Sequence, residues 1–144
     1  MTEHASKLDA IPHAPGKIAI VGLGLIGCSW TIVFAKSGWQ VSLQDINLVV
    51  LEVAQTTISD QLRLLQDYEI CNEISSILSR INFKKSFETA VFEVDYVQEC
   101  VTEIPKVKQD LFCKLDAISA PQTILASSTS GFMASEFSSY LRGR

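Results

Sequence analysis

The residues of this chain that could do chemistry fall in three stretches. The first is Gly22-Leu23-Gly24-Leu25-Ile26-Gly27, followed at a spacing of about 20 residues by Asp45. A GxGxxG run is informative only where it leaves a strand and opens a helix. Here Lys17–Val21 is a β-rich apolar run, and helical spacing follows to about Ser37. Gly22 permits the tight turn out of the strand. Gly24 has no Cβ, so a pyrophosphate can approach the backbone. Gly27 lets helix and sheet pack closely. The first N–H groups of the helix have no intrahelical partner and sit at the positive end of its dipole, which suits phosphate. Asp45, at the tip of a second strand Val41–Gln44, can accept hydrogen bonds from both ribose hydroxyls and repels a 2′-phosphate. The cofactor expected from this stretch is NAD rather than NADP.

The second stretch is Glu103 and the residues after it, at the end of a strand expected over Tyr96–Val101. The third is Ser127-Ser128-Thr129-Ser130-Gly131, which a strand over Thr123–Ser127 runs straight into. Open α/β sheets bind ligands at the C-terminal ends of their strands, so both stretches belong at a site. Taken singly, Glu103 and Lys108 also fit an exposed helix-start acid and a solvated lysine. The serine run also fits a loop with a helix cap. Cys28, just inside a helix N-terminus, could be an activated thiolate; a small packing residue is the expectation. Cys28, Cys71, Cys100 and Cys113 match no zinc or redox spacing, and no metal site is expected.

The elements that must position these residues follow from periodicity. The first helix carries Ile26, Trp30, Val33, Phe34 and Ser37 on one face, with Trp30 expected in the core and Gly38 as its C-terminal stop. A long helix is predicted over Leu48–Asp67, with Leu51, Ala54, Ile58, Leu62 and Leu65 inward. A second helical piece over Glu69–Ser79 turns Ile70, Ile74, Ile77 and Leu78 to the core. Ile81–Ser86 reads as a lysine-bearing edge strand, and Phe87–Glu93 as a short helix burying Ala90 and Val91. Pro105 opens a helix at its first turn, with Val107, Leu111, Leu115 and Ile118 as its buried stripe. A final helix spans Met133–Leu141. Strands alternating with helices imply an α/β fold. The expected architecture is a Rossmann doubly wound parallel sheet, carried through five strands of the order 3-2-1-4-5-6.

The 144 residues suit one domain, over residues 17–144, preceded by a flexible arm over residues 1–16. An apolar content of 47% is enough for a core. A net charge of −4 without a basic cluster argues against nucleic acid and anionic membranes as partners. No run reaches the ~18 apolar residues of a membrane span, and the first 16 residues lack the apolar core of a signal peptide, so a cytoplasmic protein is expected.

Three motifs in order, GLGLIG with Asp45, VQECVTEIPKVKQDLFCKLD, and ILASSTSG, resemble the 3-hydroxyacyl-CoA dehydrogenase NAD-binding family from about Lys17 to Phe137. Ser29-Trp30 and SSTSG look more like its λ-crystallin (L-gulonate 3-dehydrogenase) and L-carnitine dehydrogenase branches; the acyl-CoA branch has Asn where Ser128 stands. The resemblance implies oxidation of a small 3-hydroxy acid or 3-hydroxyacyl-CoA by hydride transfer to NAD+, in a homodimer. It matches Leu25 and Ile26 to turn positions whose backbone meets the pyrophosphate, and Asp45 to the ribose acid. Glu103 and Lys108 match positions lining the nicotinamide half, with Ser128 also among the cofactor-binding positions. Ser130 matches the serine that bonds the substrate hydroxyl. An FAD-binding turn would not explain the second and third motifs. The short-chain dehydrogenases need a YxxxK pair that Tyr68, Tyr96 and Tyr140 lack.

Hydride transfer from a carbinol also needs a base for the hydroxyl proton, usually histidine. The family has one in an H-x-x-N-P context beyond the next strand, and a helical C-terminal domain; neither is in this sequence. His4 and His13 lie in the N-terminal arm. Two readings therefore stand: the NAD-binding part of a dehydrogenase, or a catalytically inactive NAD-binding or regulatory module.

Overall fold

β1 (Lys17–Val21) is the centre of the sheet because both of its faces are apolar. Ile18 and Ile20 join one buried cluster, Ala19 and Val21 another. The computed structural model describes residues 14–142. After β1 come α1 (Leu25–Lys36), β2 (Gln40–Gln44), α2 (Leu48–Asp67), α3 (Ile74–Leu78) and β3 (Ile81–Phe83). They are followed by α4 (Phe87–Val91), β4 (Tyr96–Glu99), α5 (Pro105–Ile118), β5 (Ile124–Ser127) and α6 (Ala134–Ser138). The five strands are parallel in the order β3-β2-β1-β4-β5. This is the expected Rossmann architecture through its fifth strand. The order reverses between β1 and β4, and the C-terminal ends of both strands open onto the same edge.

α1, α2 and α3 cover one face through Ile32, Leu51, Ile58, Leu62 and Ile77. α4 and α5 cover the other through Val91 and Leu115. α6 is pinned to α5 by Phe112, Phe137 and Leu141. α1 ends in a Schellman motif at Gly38 (φ +93°), where Trp39 N–H donates to Phe34 O and Gly38 N–H to Ala35 O.

Four expectations are corrected. In α1, Gly27, Cys28, Thr31, Ile32 and Ala35 are buried, while Ile26, Trp30 and Val33 are exposed. Close packing on the sheet selects the small side chains and turns the large ones to the rim. The piece expected over Glu69–Ser79 is helical only over Ile74–Leu78. Glu69 (φ +57°) closes α2 with the same Schellman pair, Glu69 N–H donating to Gln66 O and Ile70 N–H to Leu65 O, which leaves the Ile70 side chain exposed; Leu78 is also exposed. In α5 the buried face is Lys108, Phe112 and Leu115, with Val107 and Ile118 exposed. That stripe keeps helical spacing but begins with a charge, so apolarity does not reveal it. The last helix spans Ala134–Ser138, with Met133 and Tyr140 exposed. Of the expected arm, residues 1–13, with His4 and His13, lie outside the described residues. Gly16 O already accepts Gln40 N–H at 3.0 Å. Among the described residues no helix is long and apolar enough to cross a membrane.

Candidate functional site

The three glycines of the turn have separate jobs. Gly22 has φ +93°, and a Cβ there would lie 2.7 Å from the Cys100 carbonyl and Val101 nitrogen at the end of β4. A Cβ on Gly27 would lie 2.0 Å from Gly22 O. These two let the turn fold. Gly24 has nothing within 4 Å of where its Cβ would be, and it borders a shallow groove with Leu25, Val49 and Val53. It is the N-cap of α1, gives no side-chain cap, and no acid follows in the first turn. The first N–H groups of α1 thus face an open, uncapped approach, which fits a phosphate.

Asp45 stands at the end of β2 and reaches back to the turn. Its Oδ2 accepts Leu23 N–H and its Oδ1 accepts Asn47 N–H, both at 2.9 Å. A carboxylate has about four acceptor positions, so two remain for ribose hydroxyls. Asp45 therefore braces the turn and keeps acceptor positions free.

Beside the switch point lies a buried ion pair. Glu99 and Lys108 have side chains 0% and 1% exposed, and Lys108 Nζ donates to Glu99 Oε1 at 2.8 Å. Oε1 also accepts Val101 N–H at 2.7 Å, and Oε2 accepts the Ser127 hydroxyl. A charge this deep persists only when paired and hydrogen-bonded. Sequence reasoning passed over Glu99. Its one signal is an acid at the end of a buried strand with a lysine on the following helix. Lys108 is neither solvated nor on the site's surface; it lies beneath it. Above it, Glu103 is half-exposed, 3.8 Å from Lys108 Nζ. Glu103 accepts the Thr129 hydroxyl at 2.9 Å and the Ser130 N–H at 3.3 Å.

The serine run is where these contacts end. Ser127 bonds Glu99 and accepts Thr129 N–H at 3.1 Å. Ser128 Oγ meets Trp30 Nε1 at 3.1 Å, Gln98 Nε2 at 2.7 Å and Cys100 Sγ at 3.2 Å. Thr129 is held by Glu103. Ser130 is exposed, and no partner among the described residues takes its hydroxyl. Trp30 is corrected here: it lies not in the core but at 36% exposure, with its indole N–H bonded across to Ser128 in the loop after β5. Burial pushes the Cys100 thiol up to about 11 and raises Cys28 as well. Cys28 is 2% exposed, so it is the expected packing residue and not an activated thiolate.

The sheet order sets these groups in a row along one edge: Asp45 after β2, the glycine turn after β1, Glu103 after β4 and Ser130 after β5. Neighbouring strands lie about 4.8 Å apart, so the row spans roughly 14 Å, room for an extended dinucleotide laid across the strand ends.

Residues 17–144 match the family model for the 3-hydroxyacyl-CoA dehydrogenase, NAD binding domain. The chain is 36% identical over 126 residues to the human Lambda-crystallin homolog, covering 85% of this chain and 40% of that protein. It is 36% identical over 127 residues to an L-carnitine dehydrogenase/betainyl-CoA thioesterase from Agrobacterium fabrum, covering 83% of this chain and 24% of that one. Its fold is similar to that of 3-hydroxybutyryl-CoA dehydrogenase from Escherichia coli, with a TM-score of 0.83 at 25% identity over 90% of this chain and 28% of that chain. The chain thus spans well under half the length of these relatives.

Proposed function

This chain belongs to the 3-hydroxyacyl-CoA dehydrogenase NAD-binding domain family, and from that membership we propose that it forms the cofactor half-site of an oxidoreductase. The reaction is oxidation of a 3-hydroxy acid, or a 3-hydroxyacyl-CoA, to the 3-oxo compound. NAD+ supplies the hydride acceptor when bound. The chain's own residues bind and orient. The first N–H groups of α1, at Leu25 and Ile26, meet the pyrophosphate over Gly24. Asp45 takes the ribose hydroxyls and disfavours a 2′-phosphate. Glu103 lines the nicotinamide half, with Lys108 fixing it from below.

One observation carries the substrate contact. Of the four hydroxyls from Ser127 to Ser130, three hold the loop in place and only that of Ser130 stays unengaged among the described residues. In this reading Ser130 bonds the substrate hydroxyl. The proton-accepting base is not assigned to residues 14–142, which contain no histidine. The same reading takes the working enzyme to be a cytoplasmic homodimer; acyl-CoA substrates would place it in fatty acid metabolism.

Titration with NADH, followed by its fluorescence, tests the cofactor half. Binding is expected to saturate, and Asp45→Ala to weaken it about tenfold, the equivalent of ~1.4 kcal/mol. A flat titration of the wild-type chain would overturn the reading.

A further inference from the structure

Ser128 is the meeting point of three side-chain contacts. Trp30 Nε1–H and Gln98 Nε2–H both donate to its Oγ, at 3.1 and 2.7 Å. Cys100 Sγ lies 3.2 Å away. A hydroxyl has two lone pairs and one proton. The two N–H donors fill the lone pairs, so the Ser128 proton points to the Cys100 sulfur. The hydroxyl is then saturated, with nothing left to offer a ligand. Gln98 is oriented in turn by the Tyr96 hydroxyl, which donates to its Oε1 at 3.4 Å.

Trp30 belongs to α1, the helix whose N-terminus faces the phosphate approach. Its indole therefore ties that helix to the loop that presents Ser130. Glu103 holds Thr129 and Ser130 from the α5 side, so the loop is gripped from two directions. We propose that Trp30 and Ser128 are a positioning pair for the nicotinamide half of the site, setting where the Ser130 loop stands relative to the glycine turn. This rests on the cofactor reading above and deepens it: Ser128 acts as a joint, not as a direct cofactor ligand.

The test uses the full chain and two ligands, NADH and ADP-ribose, which lacks the nicotinamide. Trp30→Phe removes the N–H but keeps a ring against Phe34, whose centroid lies 5.6 Å from that of Trp30. Ser128→Ala reaches the same joint from the other side, should either variant fold poorly. Each is expected to bind NADH about fivefold more weakly, as for one lost neutral hydrogen bond, and ADP-ribose within about twofold of wild type. The double variant should be no more than about twofold weaker than the worse single one, because the two share one contact. A merely structural role would weaken both ligands alike. That result, or unchanged NADH binding in both single variants, overturns the pair. A wild-type chain that binds neither ligand overturns the cofactor reading and the pair together.

Discussion

Lys108 shows how one side chain can organise a site it does not face. Its ammonium neutralises Glu99 below the strand ends and stands 3.8 Å from Glu103 above. Breaking a buried pair costs about 3–5 kcal/mol, because the remaining charge is stranded. Lys108→Met should lose about that much in urea denaturation. Glu99→Gln combined with Lys108→Met should recover most of it, since the amide oxygen can still accept from Val101. A loss below ~1 kcal/mol in the single variant would show that the pair does not matter. The Cys100 thiol, pushed up to about 11 from 9.0, stays protonated at neutral pH. With its folded value raised, its contribution to stability is whole below about pH 9 and is lost as pH climbs through about 11. Iodoacetamide mapping by mass should therefore find exposed Cys113 modified at pH 8 and Cys100 spared, with Cys100 labelling rising steeply toward pH 11. Equal labelling at pH 8 would contradict the burial. The places of Asp45, Glu103 and Ser130 at one edge of the sheet were legible in the sequence, because each stands in the loop just after a strand. Glu99 and the depth of Lys108 were not. Residue type alone sends charges to the surface, and only the pair together makes burial tolerable.

At the level of elements, the strand–turn–helix unit from β1 to α1 separates folding from binding. Gly27 has no room for a Cβ, and Gly24 has nothing but room. Gly27→Ala should lower the melting temperature sharply or prevent folding. Gly24→Val should melt within a few degrees of wild type yet bind NADH at least tenfold more weakly. If Gly24→Val bound normally, the phosphate approach over this turn would be wrong. The limits of α2 were legible because its apolar residues recur regularly and Asn47 caps it, accepting Val49 N–H at 3.0 Å. The inward face of α1 was not, because tight packing on a sheet favours Gly27, Thr31 and Ala35 over larger apolar neighbours. The inward stripe of α5 was hidden by the lysine that begins it. In both helices, fit and pairing outweighed hydrophobicity, which periodicity alone measures.

For the molecule as a whole, the order β3-β2-β1-β4-β5 turns separated motifs into one row. Alternation of strands and helices made that order legible, because right-handed crossovers leave few other choices. The cross-links along the row were not legible: the bond from Asp45 to the turn, the indole bond from α1 to the loop after β5, and the Glu103 grip on Thr129 and Ser130. They depend on side chains meeting across more than 20 residues of sequence. The row has Asp45 at one end and the open Ser130 at the other, and the proposed contact of Asp45 with the ribose hydroxyls calls for a cofactor without a 2′-phosphate. The most direct measurement is a parallel calorimetric titration of the wild-type chain with NAD+ and NADP+. Saturable binding of NAD+ with NADP+ at least tenfold weaker is the expected result; no NAD+ binding, or a preference for NADP+, would contradict it.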